Sequence, residues 1–259
     1  MVENLDRLIT EQQIADFERD GVICLRGLFG KSWVERLRNA VDGLLKDSSQ
    51  AGEMYSLLGQ HMARTNREFD CFVKQSPAAA IAKRMMRSQQ VRFYFDHLLI
   101  KEPGTRGPSP WHHDLPYWPV QGNQICSIWL TLDPVTKESS GLQYIAGSHR
   151  WGKKFHPPES EDLGFSGDDK MPDIGNNLES YTLLDWDMEP GDCLVHHGLT
   201  VHGAGGNMTL DVRRRALATR WLGDDATYRE GGGDPALRVE NLRTGDAMPD
   251  ELFPFVAVK

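Results

Sequence analysis

Two places in this 259-residue chain bring together residue types that could hold a metal ion. The first is His112-His113-Asp114, an H-x-D triplet near the start of WHHDLPYWPVQGNQICSIWLTLDPVTKESSGLQYIAGSHRW, which runs from Trp111 to Trp151. In extended backbone side chains alternate, so His112 and Asp114 share one face and His113 points away. Two donors on one strand chelate weakly and need a third from elsewhere in the fold. GDCLVHHGLTVHGAGGN offers it at His202, 88 positions beyond Asp114, followed by glycines that let backbone crowd close to a site. Two imidazoles and one carboxylate make a facial triad suited to Fe(II) with open coordination positions, which a closed four-cysteine site would not leave.

The elements that must position these residues fall into two textures. Thr10 with Gln13 three residues on reads as a capping box opening a short helix to about Arg19, broken by Asp20-Gly21. Val22 to Leu25 is a short strand. Val34, Leu37, Val41 and Leu44 recur at helical spacing, giving a second helix from Ser32 to about Lys46. Residues 47 to 75 carry no readable pattern, and Ser76-Pro77 reads as cap plus first residue of a helix through Met86. From Gln90 the chain turns to β-branched and aromatic runs closed by Gly/Pro turns: 90–101, 125–132, 142–145, 181–184, 193–197 and 214–222. Short strands without intervening helices predict a sandwich or jelly roll, with the helices against one outer face. The stretches 156–177 and 223–250 are polar and rich in Gly and Asp, so the first reads as a loop that is either a lid or disordered and the second as a polar tail.

Hydrophobic residues make up 39% and charged residues 25%, which fits a folded, water-soluble chain of one domain over residues 1–259. A net charge of −8 with no long basic run argues against nucleic acid or an anionic membrane as partner. Four widely spaced cysteines without a C-x-x-C read as free thiols. With a polar N-terminus and no run near the ~20 residues of a membrane span, a cytoplasmic protein is expected. The oligomeric state is not readable.

The order of parts carries a resemblance. Trp111-His112-His113-Asp114, then Gly147-Ser148-His149, Gly191-Asp192, His197, His202-Gly203, Asn207 and Arg214-Arg215-Ala216, with RDGVICLRGLF near the start, resemble the phytanoyl-CoA dioxygenase family of Fe(II)/2-oxoglutarate oxygenases. The resemblance covers roughly residues 10 to 222. It implies a double-stranded β-helix of the jelly-roll, cupin-like kind, mainly β with flanking α-helices, in which His112, Asp114 and His202 hold Fe(II). Its co-substrates would be 2-oxoglutarate and O2, with release of succinate and CO2. His197 falls where the family carries a supporting histidine. His196 and His113 are assigned no ligand role, and His97 and His149 are read as structural.

A dianionic 2-oxoglutarate needs a fixed cation for its far carboxylate, and Arg supplies a bidentate fork where Lys does not. Counting without gaps points to Arg213; matching R-R-A points to Arg214. Strand parity favours Arg214, which shares a face with Ala216, Ala218 and Arg220, small residues that leave room for a ligand. By the same matching, Trp129 and Leu98 pack on the co-substrate.

Tyr117, Trp118, Asp96 and Arg220 are candidates to line the pocket of an unidentified small organic substrate. The carboxylate at Asp114 predicts hydroxylation, since halogenases of this type lack it. Two rivals remain at this level: a catalytically silent jelly roll that binds metal or 2-oxoglutarate, and a cupin-like Zn-dependent hydrolase or isomerase.

Overall fold

The computed structural model describes residues 8–47, 56–156, 169–231 and 237–258. Thr10 opens α1 (Glu11–Asp20) through a reciprocal capping box: its hydroxyl accepts the Gln13 N–H at 3.2 Å, and the Gln13 side chain accepts the Thr10 N–H at 2.8 Å. The helix ends at Gly21, whose φ of 80° suits glycine; a Cβ there would collide with His149 and Thr200. Then come β1 (Val22–Leu25), α2 (Lys31–Asp47), β2 (Ser56–Gln60), α3 (Met62–Thr65), α4 (Arg67–Gln75) and α5 (Ala78–Met85). The patternless stretch thus holds short elements; in α4 Phe69, Phe72 and Val73 are buried at helical spacing, a period confined to about two turns. At α5 the Ser76 hydroxyl accepts the Ala78 N–H at 3.2 Å, so the helix starts one residue later than its Ser-Pro signal suggests.

Ten strands follow: β3 (Arg92–Lys101), β4 (Ser109–His112), β5 (Val120–Gln121), β6 (Ile125–Thr131), β7 (Leu142–Ile145), β8 (Leu183–Leu184), β9 (Cys193–His197), β10 (His202–Ala204), β11 (Arg214–Leu222) and β12 (Thr227–Tyr228). The main sheet has the order β1-β9-β6-β11-β3-β2, a second has β4-β10-β7-β8, and β12 pairs with β5. Every ladder is antiparallel. This is the expected jelly roll, with two facing sheets and no closed barrel.

The main sheet is buried on both faces. Outward, Ile128, Leu130, Val195, Leu217 and Trp221 pack with Phe17, Leu37, Val41, Phe72, Ile81 and Met85 of the helices. Inward, Trp129, Leu194, Ala216 and Ala218 meet Tyr144 of the second sheet. The small side chains of Ala216 and Ala218 take up little of the space on that inner face. The polar-tail expectation is corrected: Leu237, Met248 and Phe253 are buried against Tyr94, Trp118 and Tyr228, isolated apolar residues whose spacing gave no period. The loop at 156–177 lies partly outside the described residues; of its remainder, Ile174 is buried against Ile145, Phe155 and Val201.

Candidate metal and co-substrate site

β4 and β10 are antiparallel neighbours, and His112 and His202 face each other across the ladder with ring centroids 4.3 Å apart. Asp114 joins them by a route the alternation argument did not anticipate. β4 ends at His112, and the backbone then bends through helical dihedrals at Asp114 into a 3-10 turn at Leu115–Tyr117. The Leu115 N–H donates to Gly198 O at 2.8 Å and fixes that bend. Asp114 Oδ1 lies 3.8 Å from His112 Nε2 and 3.9 Å from His202 Nε2. Their donor atoms all fall within 4.8 Å of one another, the one such metal-ligand grouping among the described residues.

The ring orientation fits a metal. His112 Nδ1 is 2.8 Å from Pro110 O and His202 Nδ1 is 2.9 Å from Thr200 O, and a carbonyl can only accept. Each Nδ1 therefore carries the proton, and each Nε2 turns a lone pair toward Asp114. Burial holds His202 well below the usual imidazole range, so it stays neutral, as a ligand must.

Asp114 is held from behind. Ser127 Oγ donates to Oδ2 at 2.9 Å, and His196 Nε2 lies 3.2 Å from the same oxygen. Tyr144 O–H completes the relay at 3.1 Å from His196 Nδ1, and its ring stacks on His202 at 5.4 Å. Burial acts to raise the Asp114 pKa, but the His196 hydrogen bond and the Arg220 charge outweigh it and keep the carboxyl ionised. The supporting role expected of His197 therefore falls to its neighbour: His197 Nε2 meets Asn123 O at 2.9 Å, its Nδ1 accepts the Leu199 N–H, and its ring lies beside His149. Strand parity turns His196 inward and His197 out. His113 is buried as well, stacked on Phe155 and accepting the Phe155 N–H at 2.8 Å.

The arginine run splits by face. Arg213 is half-exposed and paired with Glu102 at 2.8 Å, and Arg215 is paired with Asp133 at 2.7 Å. Arg214 is 3% exposed and makes one bond, to Leu99 O at 3.3 Å, while its Nε has no partner. Burial pulls it down to about 10. Lys101, its cross-strand partner, is also buried; it donates to Gly205 O at 2.9 Å and is pulled down to about 8 by burial and by Arg214. Two buried cations with no carboxylate in hand make a cradle for an anion, and sequence reasoning missed the lysine. Trp129 shares this face, its ring centroid 5.5 Å from the Arg214 guanidinium and its indole N–H unpartnered. Leu98 does not: it is in register with Leu217 and belongs to the helix-facing core, so its expected place on the co-substrate is corrected, and Leu99 takes the inner position.

On the far side of Asp114, Arg220 is 6% exposed, with Nη2 at 3.9 Å from Asp114 Oδ2. Its guanidinium sits 5.0 Å from the Phe95 ring and 5.9 Å from the Trp118 ring. Tyr117 lies 6.1 Å from His112, ring to ring. Asp96 is engaged elsewhere, accepting the Met62 and Ala63 N–H groups at the start of α3, so it caps a helix and does not face the pocket as a free carboxylate.

The model of the phytanoyl-CoA dioxygenase (PhyH) family matches residues 17–216. The chain belongs to that family. As a phytanoyl-CoA dioxygenase family member it is, at that level, an Fe(II)/2-oxoglutarate-dependent oxygenase. It is 24% identical over 229 residues to the multifunctional dioxygenase prhA of Penicillium brasilianum, covering 80% of this chain and 70% of that one. Against two other curated relatives the match spans only 41% and 42% of their length. The non-heme alpha ketoglutarate dependent carbocyclase SnoK from nogalamycin biosynthesis has the same fold, with a TM-score of 0.76 at 23% identity over 97% of this chain and 98% of that one. EvdO2 from Micromonospora carbonacea var. aurantiaca, complexed with 2-oxoglutarate, is 26% identical with a TM-score of 0.66, covering 88% of this chain and 95% of that one. Among the described residues no helix is long and apolar enough to cross a membrane, and all four cysteines are free.

Proposed function

We propose that this phytanoyl-CoA dioxygenase family member hydroxylates a small organic substrate, with His112, Asp114 and His202 as the iron ligands and Arg214 as the clamp on the far carboxylate of 2-oxoglutarate. A bound ferrous ion would supply O2 activation coupled to oxidation of 2-oxoglutarate to succinate and CO2. The observation that carries the reading is the pair of carbonyl-tied Nδ1 atoms, which leaves two Nε2 lone pairs aimed at one carboxylate.

The chain's own part is positioning. Ser127 and His196 fix the Asp114 carboxylate, and Tyr144 fixes His196. Arg214 and Lys101 answer a dianion, and Trp129 walls it from water. A carboxylate at position 114 keeps three protein donors on the metal and supports hydroxylation over halogenation. Relatives of this fold include a carbocyclase, so the outcome depends on which substrate bond is presented. Succinate release from 2-oxoglutarate is measured with and without Fe(II), followed by a screen of small metabolites for stimulated CO2 release. Iron-dependent succinate, increased by one compound that gains a hydroxyl group, is expected. Binding of 2-oxoglutarate without turnover by protein loaded with Fe(II), or indifference of the Fe(II)-loaded protein to 2-oxoglutarate, would refute the proposal.

A further inference from the structure

We infer that Arg220, walled by Phe95 and Trp118, forms a second anion subsite that takes a carboxylate of the substrate being oxidised. This rests on the reading above, in which Arg214 serves 2-oxoglutarate.

Arg220 is a buried guanidinium whose hydrogen-bonding capacity is mostly unspent. Its Nη1 donates to Ala218 O at 3.0 Å, and its Nε has no partner. Two carboxylates are near, and both are committed. Asp114 Oδ2 stands off at 3.9 Å, beyond hydrogen-bonding distance, and already serves Ser127 and His196. Asp96 serves the two N–H groups of α3. Desolvating a cation without a fitted partner is costly, and an incoming carboxylate would relieve it through the planar fork that guanidinium presents.

A second clamp on 2-oxoglutarate does not explain it. Arg214 and Arg220 lie six residues apart on one strand face, about 20 Å along β11. Asp114 sits at the Arg220 end, so the far carboxylate of a diacid that is chelated at the triad and reaches Arg214 runs away from Arg220, and 2-oxoglutarate could approach Arg220 only with the carboxylate spent on the metal. His97 lies on the same inner face, in register with Ala218, and its Nε2 has no partner. A neutral imidazole there gives the subsite a second hydrogen-bonding group. With Arg214, Lys101 and Arg220 all charged, a site loaded with a divalent ion and a dianion keeps positive charge, which an uncharged substrate would leave unanswered. Phe95 and Trp118 meet edge to face at 5.6 Å beside Arg220, so the acid it fits is flat or cyclic, its ring against these rings and its carboxylate on the guanidinium.

Benzoate and benzamide share a shape and differ in charge. Each is titrated calorimetrically into protein loaded with Fe(II) and 2-oxoglutarate without O2. Benzoate is expected to bind at least about tenfold more tightly. Arg220→Gln is expected to erase the difference, and Arg213→Gln, at the Glu102 pair, to keep it. Equal affinity for the two probes overturns the inference, as does competition between benzoate and 2-oxoglutarate, or a loss of 2-oxoglutarate affinity in Arg220→Gln as large as the loss for benzoate. Should Arg220→Gln not fold, the wild-type comparison decides, supported by Arg220→Lys, which keeps the charge and loses the fork. If wild type binds no 2-oxoglutarate, the underlying reading fails; if it binds 2-oxoglutarate yet shows no benzoate preference, this inference alone fails.

Discussion

Replacing Arg214 with Met separates a binding role from a structural one, because the two predict opposite signs. Burial pulls its pKa down to about 10 from the ordinary guanidinium range, so keeping it charged at neutral pH costs the empty fold on the order of 3 kcal/mol. Against this stands one hydrogen bond to Leu99 O, worth about 1 kcal/mol. Arg214→Met, a change of similar length, is therefore expected to stabilise the ligand-free protein by about 2 kcal/mol, a rise in Tm of roughly 4 to 8 °C. With Fe(II) present and O2 excluded, the same change removes one side of a buried charge pair with 2-oxoglutarate, which costs about 2 to 5 kcal/mol. Affinity should fall by about 30-fold to several thousand-fold. The extra thermal stability that wild type gains from saturating 2-oxoglutarate, about 2.7 kcal/mol at a hundred times Kd, should fall below about 1 kcal/mol at the same concentration. Scanning calorimetry with and without the two ligands, alongside isothermal titration, measures both effects. A lower Tm for the empty variant together with 2-oxoglutarate affinity within tenfold of wild type would show that Arg214 holds the fold and not the co-substrate.

Other consequences can be checked directly. His202→Ala removes one of three converging donors, and the purified protein should retain no stoichiometric iron after anaerobic loading and desalting; full iron content would dismiss the triad. Tyr144→Phe leaves the buried His196 Nδ1 unpaired, and this should weaken metal binding about 10- to 100-fold in a chelator competition; unchanged affinity would mean the relay to Asp114 is idle. Burial holds His97 at about 3 and His197 at about 4, so both are neutral in the fold and take up protons on unfolding below 6.5. Their contribution is nearly whole at pH 7.5 and is lost progressively toward pH 4, and these two rings alone should cost about 3 kcal/mol between pH 7.5 and 5.5 in urea melts. A flat profile across that window would contradict the burial assigned to these rings.

Much of the site was legible because its chemistry is written in residue type. Only His, Asp and Arg could do what His112, Asp114, His202 and Arg214 are placed to do, and β7, β9 and β11 begin and end where their Gly/Pro turns indicate. What could not be read was facing. Strands with one wet side announce their parity, but β3, β6 and β9 are covered on both sides, by helices and by the second sheet. QVRFYFDHLLIK has unbroken apolar runs at FYF and LLI, so Leu98 and Leu99 were interchangeable on paper, and so were His196 and His197 in CLVHH. Arg213, Arg214 and Arg215 escaped this ambiguity because the alanines after them mark the pocket side. Lys101 gave no signal of its own; its meaning comes from standing opposite Arg214. Asp114 reaches the two histidines through a bend, so the alternation argument grouped it with His112 by a mechanism the backbone does not use.

The carbonyl tethers on the two imidazoles have a further consequence. Each proton is parked on the backbone two residues upstream, within the same short segment, so the donors are already turned before any ion arrives. Such a trap does not reshape itself around its guest and has little means of refusing the wrong one. Zinc and copper outbid ferrous iron for nitrogen-rich sites of this kind, so which ion occupies the protein would follow what the surroundings offer more than what the polypeptide prefers.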